Sequence, residues 1–307
     1  MALVTPQKPL FRLVCSFRAP YRTGMRIDAH QHFWNLEQFA HGWITEELQP
    51  LRRSFGPSDL KPLLEEHSFD GCVLVQTFSS VEETRWFLSL AMQNPFIRGV
   101  VGWVDLEDPD VGEMIEALQE HPRFVGVRHV VHDEPDVNWL TRPEVMRGLA
   151  ELEIRRVPFD LLLKPPHLGP ALKVAERFPG LPLVVDHIAK PRIAAGGWED
   201  WAQGIAALAR CPNVSCKLSG MITEADWKAW KPDHLRRYVD YVVEKFSPHR
   251  LMFGTDWPVC LLAGSYSQVV KALEATLSAM NQEEQAGVWG NNAARFYGLR
   301  EEPIRVP

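Results

Sequence analysis

Arg26-Ile27-Asp28-Ala29-His30-Gln31-His32-Phe33-Trp34 combines a short strand pattern with two histidines one residue apart. Arg26–His30 predicts a β-strand. Residues two apart on an extended backbone point to the same side, so His30 and His32 emerge together at its end. Two imidazoles placed this way can bind a metal or donate hydrogen bonds to a carbonyl oxygen. A lone histidine is more often structural, but a His-x-His pair closing the first of a series of strands points to a site.

Seven similar runs follow: Gly71–Gln76, Gly99–Val104, Phe124–Arg128, Val157–Leu163, Leu183–His187, Val214–Leu218 and Leu251–Thr255. Most are near-continuous apolar stretches, as expected of strands buried on both faces of a parallel sheet. Between them lie amphipathic segments with helical periodicity. These are Ser58–His67, Val81–Gln93, Asp110–Glu120, Pro143–Leu152, Gly169–Phe178, Trp198–Ala209, Asp233–Phe246 and Ser265–Met280. Pro182, Pro212 and Pro248 stand where a helix must stop before the next strand. Such β-then-α units in series make either a closed parallel barrel or an open doubly wound sheet. No GxGxxG follows the first strand and no GxxxxGK[ST] occurs, which weighs against the nucleotide-binding sheets. Eight strands with polar residues at their C-terminal ends favour an α/β fold of the (β/α)8 TIM-barrel type. The barrel is expected over residues 25–307. Residues 1–24 carry Lys8, Arg12, Arg18 and Arg22 and no acid, and are read as a loosely attached N-terminal extension.

The 307 residues are 46% hydrophobic and 23% charged, enough for one large core. Net charge is -6 and basic patches are scarce, so nucleic acid is not an expected partner. No apolar run approaches the roughly 20 residues that span a bilayer, so no membrane is expected either. The five cysteines, Cys15, Cys72, Cys211, Cys216 and Cys260, are odd in number and fit no zinc ribbon or CxxC spacing. A reducing compartment, the cytoplasm, follows as the expectation, with no disulfide framework.

Two further strand ends carry reactive groups. His187 ends Val184-Val185-Asp186-His187, and Asp256 ends Met252-Phe253-Gly254-Thr255-Asp256 ahead of Trp257 and Pro258. Strands one and eight are neighbours in a closed barrel, so Asp256 meets the histidine pair and can act as a general base. Its alternative role is a helix N-cap. His30, His32, His187 and Asp256 are thus the candidate catalytic residues. The same four could hold one divalent metal, zinc first, or work with none. Candidate substrate contacts are Arg128, which can grip a carboxylate or lactone oxygen, and His129, Gln76, Asp160 and Lys217. Trp34 and Trp257, from the set of 11 tryptophans, are candidate faces for a sugar ring. The other histidines, His41, His67, His121, His132, His167, His234 and His249, read as surface or loop residues. No GxSxG elbow or Cys/His nucleophile stands out, so water is the expected attacking group.

These residues resemble the amidohydrolase superfamily, specifically its amidohydrolase-2 group of sugar-acid lactonases (L-fuconolactonase-like and L-rhamnonolactonase-like) and pyrone-dicarboxylate lactonases. The matching pieces are Asp28–Trp34, Gly126–His129, Pro158–Leu161, Asp186–Pro191, Lys217–Gly220, Gly254–Cys260 and Gly290–Gly298. They spread over nearly the whole barrel. The resemblance implies a distorted (β/α)8 barrel and hydrolysis of a sugar-acid lactone or a related small carboxylated lactone. In that picture Asp256 deprotonates the water, His30, His32 and His187 surround the scissile carbonyl, and Arg128 binds the acid. Many two-metal members place a lysine or glutamate on strand four and a histidine on strand five. Arg128 and Asp160 stand there instead, which speaks against a two-metal site. The competing readings are a metal-dependent decarboxylase of the same superfamily and a non-catalytic sugar-binding barrel.

Overall fold

A computed structural model of the chain describes residues 24–299. The expected extension, apart from Gly24, lies outside the described residues. Eight strands succeed one another: β1 (Ile27–Gln31), β2 (Gly71–Val75), β3 (Ile97–Gly102), β4 (Phe124–His129), β5 (Phe159–Leu161), β6 (Leu183–Val185), β7 (Val214–Leu218) and β8 (Leu251–Phe253). They form one sheet in chain order, each pairing parallel with the next. The sheet closes at the C-terminal ends of β1 and β8. There the His32 amide donates to Trp257 O at 2.7 Å and the Asp256 amide donates to His30 O at 2.8 Å. The fold is a (β/α)8 barrel, as the alternation of apolar runs and amphipathic segments predicts. The helices sit close to their expected bounds, for example Val81–Gln93 and Pro143–Arg155.

Three strands are shorter than their apolar runs. The β5 pairing starts only after Pro158, which has no amide to give a ladder. The β6 and β8 ladders stop at Val185 and Phe253, before His187 and Asp256. Those two residues therefore stand on the loops above the barrel. The helix expected over Ser265–Met280 is shorter, covering Tyr266–Thr276, and beyond that run Asn281 caps a separate short helix, Gln282–Ala286.

Strand β1 does not alternate evenly. Its register against β2 shifts between Asp28 and Gln31. Ile27 and Ala29 pack into the barrel interior with Val73, Val75, Val101, Val184 and Met252, and Tyr297 of the helix Asn292–Tyr297 joins them. Beyond the shift it is His30 and His32 that reach the interior network, while the Gln31 amide turns to Cys72 Sγ at 3.2 Å. A bulge that re-aims side chains beside a site is a common use of the device. Gly254 permits the approach, because a Cβ there would lie 2.6 Å from the Cβ of His30. A larger core, including Val127, Phe159, Leu183, Cys216 and Leu251, fills the space between strands and helices.

Asp28, fully buried, ties the seam. It accepts from the Thr255 amide (3.0 Å) and hydroxyl (2.6 Å) across the closure, and from the His30 amide (3.2 Å). Burial pushes its carboxyl up to about 6, with the Thr255 bonds opposing. Asp28→Asn replaces one of two acceptor oxygens with a donor facing donors. It is expected to cost about 1–3 kcal/mol of stability in urea denaturation. An unchanged midpoint would assign the seam to the backbone bonds alone.

Candidate active site

The barrel seam delivers four groups to one point. His32 Nε2 lies 3.2 Å from Asp256 Oδ1, His187 Nε2 lies 3.7 Å from the same oxygen, and His30 Nε2 lies 3.9 Å from it. The two ring nitrogens of His30 and His32 are 3.2 Å apart. All four residues are buried. Asp256 does not cap a helix with its side chain. Its backbone is left-handed (φ 59°), and the carboxylate turns toward the imidazoles.

Each imidazole is aimed by its other nitrogen. His32 Nδ1 donates to Val75 O at 2.7 Å, which leaves Nε2 facing Asp256. His187 Nδ1 meets the Ser219 hydroxyl at 2.8 Å. His30 Nδ1 lies between Asp186 Oδ1 (3.3 Å) and Lys217 Nζ (3.1 Å). Burial holds His187 down at about 3 against the pull of Asp256, and keeps His30 well below the ordinary imidazole value. Burial would raise Asp256, but the charge of His187, the His32 hydrogen bond and the charges of His30 and His32 outweigh it and keep it far below the usual carboxylate range.

A second layer lies beneath. Lys217 Nζ contacts Asp160 Oδ2 at 2.6 Å and Asp186 Oδ1 at 3.0 Å, with no exposure of any of the three side chains. Tyr297 donates its hydroxyl to Asp160. Arg128 Nη1 contacts Asp186 Oδ2 and His30 Nε2, each at 3.2 Å, and its Nη2 donates to the carbonyl and side-chain oxygens of Gln76. Burial raises Asp160 to about 6, with Lys217 opposing. Burial would raise Asp186 too, but Lys217, His30 and Arg128 hold it well below the usual value. Asp160, Asp186 and Asp256 bring three negative charges against two from Lys217 and Arg128. With neutral imidazoles the network is one positive charge short.

Above lies a cavity of about 470 Å³. His32, Arg128, His129, His187 and Asp256 line it, together with Trp43, Thr77, Phe78, Leu162, His132, Asp133, Glu134 and Lys190. His30 sits just below this lining. Gln76, Asp160, Lys217, Trp34 and Trp257, from which substrate contact was expected, are all buried and are not among the lining residues. Gln76, Asp160 and Lys217 belong to the layer beneath. Trp34 donates to Arg53 O (2.7 Å) and packs on Phe55, and Trp257 also packs on Phe55. The aromatic lining comes from Trp43 and Phe78 instead. His132, read as a loop residue, lines the cavity, and His41 is buried against Thr77. Asp186, Ser219, Glu134 and Lys190 were not singled out. A lysine in mid-strand calls for buried carboxylates on adjacent strands, and that demand alone could have drawn attention to Asp186.

His187 begins four consecutive left-handed residues: His187, Ile188, Ala189 and Lys190 have φ of 53°, 47°, 59° and 48°. Left-handed backbone is costly for non-glycine residues, most of all for β-branched Ile188. Trp201 Nε1 donates to Ile188 O at 2.6 Å, and Lys190 Nζ donates to Glu224 at 2.9 Å, holding the turn at both points.

Imidazoles, a carboxylate and an adjoining cavity at the C-terminal mouth of a (β/α)8 barrel define a class of barrel built for polar chemistry at that face. The chain belongs to the amidohydrolase family, whose model matches residues 27–299. It is 39% identical over 280 residues to an L-fucono-1,5-lactonase of Burkholderia ambifaria, covering 89% of this chain and 96% of that protein. An L-fucono-1,5-lactonase of Burkholderia multivorans is 36% identical over 288 residues, covering 90% and 97%. A crystal structure of a Burkholderia multivorans amidohydrolase with bound zinc matches with a TM-score of 0.86 at 35% identity, covering 90% of this chain and all (100%) of that one.

Gly220 has φ 60°, and a Cβ on it would lie 2.6 Å from the His187 ring. Gly220→Ala is therefore expected to displace His187 and lower kcat by about tenfold to a hundredfold, with the fold retained by circular dichroism. Unchanged turnover would mean that the position of this ring is not used. Lys217→Met leaves Asp160 and Asp186 without their ammonium and is expected to cost about 3–5 kcal/mol in denaturation. A loss under 1 kcal/mol, on the scale of an exposed ion pair, would show that the network is not sealed from water.

Proposed function

We propose that this chain hydrolyses a lactone of a sugar acid, with Asp256 as the base that takes the proton of the attacking water. The observation that carries the reading is the single carboxylate oxygen faced by three imidazoles at a cavity of about 470 Å³. The likeness to two L-fucono-1,5-lactonases across about nine tenths of the chain supports the substrate class.

Asp256 is kept ionised by its neighbours, as a base for water must be. The imidazoles meet its Oδ1, which leaves Oδ2 to receive the proton. The water oxygen bonds to the lactone carbonyl carbon, and the carbonyl oxygen takes up negative charge beside the imidazoles. When the ring C–O bond breaks, the proton held by Asp256 passes to the departing ring oxygen, giving a free hydroxyl and a carboxylic acid, which then loses its remaining water-derived proton to solvent to become the carboxylate. A lactone is more electrophilic than an amide, so modest stabilisation of the oxyanion suffices.

The donor set fits one divalent ion. Ligand atoms of His30, His187 and Asp256 lie within 4.8 Å of one another, with His32 alongside, and a cation there balances the charge that the network lacks. Zinc at this point would polarise the carbonyl and acidify water. A second reading has its own support. Arg128 already places a guanidinium nitrogen 3.2 Å from His30 Nε2, and a proton on His32 Nε2 supplies the same missing charge.

Asp256→Asn keeps the shape and removes the base. Lactone hydrolysis followed with a pH indicator is expected to fall by at least about a thousandfold, and near-normal turnover would refute the assignment. Metal content and activity after exhaustive chelation separate the two readings of the cation. Loss on chelation with recovery on zinc addition favours the ion, and full activity at under 0.1 equivalent, roughly the background of such assays, favours the proton.

A further inference from the structure

We infer that Glu134 is a specificity-determining residue of the cavity: it accepts hydrogen bonds from ring or side-chain hydroxyls and so selects neutral, polyhydroxylated lactones over lactones that carry a second carboxylate. The inference rests on the lactonase reading and narrows it. Glu134 lines the cavity and lies on the loop after β4. Its Oε1 lies 2.6 Å from His129 Nε2. The other nitrogen of that ring, Nδ1, accepts the indole N–H of Trp103 at 3.0 Å. An indole nitrogen only donates, so Nδ1 carries no proton and Nε2 must be the donor to Glu134. The chain from Trp103 through His129 to Glu134 thus has one direction, and it ends on a carboxylate. Trp139 stacks on the His129 ring with centroids 4.0 Å apart and an interplanar angle of 12°, which fixes its plane.

Only Oε1 of Glu134 is engaged among the described residues. Its side chain keeps 25% of its exposure, so Oε2 is available to a ligand in the cavity. A carboxylate oxygen so held accepts from hydroxyls and repels another carboxylate. Asp133, beside it in the lining, adds to that repulsion. The lysine and arginine side chains of the lining already have partners. Both Nη atoms of Arg128 are bonded to Asp186, His30 and Gln76, and Lys190 is bonded to Glu224. Glu134 is thereby the acceptor of this lining that reads hydroxyls, while Arg128 also lines the cavity.

The test compares L-galactono-1,4-lactone with its aldaric counterpart, in which the terminal CH2OH is a carboxylate. The wild type is expected to favour the neutral lactone in kcat/KM. Glu134→Gln is expected to narrow that preference by about tenfold to a hundredfold, through a higher KM for the neutral lactone and a lower one for the charged lactone. Trp103→Phe frees the His129 ring and is expected to narrow it in the same direction by less. Melting curves establish that both variants fold. An unchanged preference in both variants, or an equal loss on both lactones, overturns the role of Glu134 and leaves the lactonase reading standing. A wild type that opens no lactone, the unsubstituted δ-valerolactone included, removes the lactonase reading and this inference with it.

Discussion

The backbone bonds from His32 N to Trp257 O and from Asp256 N to His30 O do more than complete a ring of strands. Each net contribution to stability is about 1 kcal/mol. Their larger effect is geometric. They join the chain at the residues that face each other across the site, so the distance between imidazoles and carboxylate is set by a backbone ladder rather than by flexible side chains. Asp28 stiffens the same seam from behind through Thr255, the residue next to Asp256. A barrel opened at any other seam would leave His30 and Asp256 adjacent, but opening at this one separates them.

The polar layer beneath the cavity is a poor source of stability. Taking lysine, arginine and two aspartates out of water costs most of what their attraction returns, and apolar replacements of the same volume often match such networks. What the layer supplies is orientation. Asp186 is shared among Lys217, Arg128 and His30, so the angle of the His30 ring depends on two cations fixed by other strands. Tyr297 anchors Asp160 from the helix Asn292–Tyr297, which ties that helix to the middle of the barrel. With every imidazole neutral the network would be one positive charge short. That shortage is met at the point where Asp256 and the imidazoles converge, so the same imbalance that the fold tolerates is what makes the site receptive to a proton or an ion.

Much of this was legible in the sequence because parallel strands buried on both faces are written as continuous apolar runs, and eight of them can be counted. His30, His32, His187 and Asp256 could be placed together because each ends or closely follows such a run. The bulge in β1 could not be read, since Asp28 has the same spacing from His30 as His30 has from His32, yet faces the seam. Trp34 and Trp257 flank reactive residues in sequence but point into the packing around Phe55, whereas Trp43, deep in a long loop, lines the cavity. Loop side chains such as His132, Lys190 and Glu134 carry no periodicity, and their convergence depends on loop conformations that propensity does not encode.

The most costly local geometry lies where the reactive groups are. Left-handed backbone at His187, Ile188, Ala189, Lys190 and Asp256 costs about 1–2 kcal/mol per residue, so the surroundings must over-determine it. The reason lies in the direction of the chain. After Val185 the ladder ends, and the chain turns through the left-handed residues that begin at His187. The left-handed turn keeps the His187 ring over the barrel, with Nδ1 on Ser219 and Nε2 toward Asp256. Gly220 completes the fit by having no Cβ where that ring must lie. Strain at β6, absence of a side chain after β7 and the left-handed Asp256 after β8 are thus three solutions to one requirement, that groups from separate strands meet within hydrogen-bonding reach above the same axis.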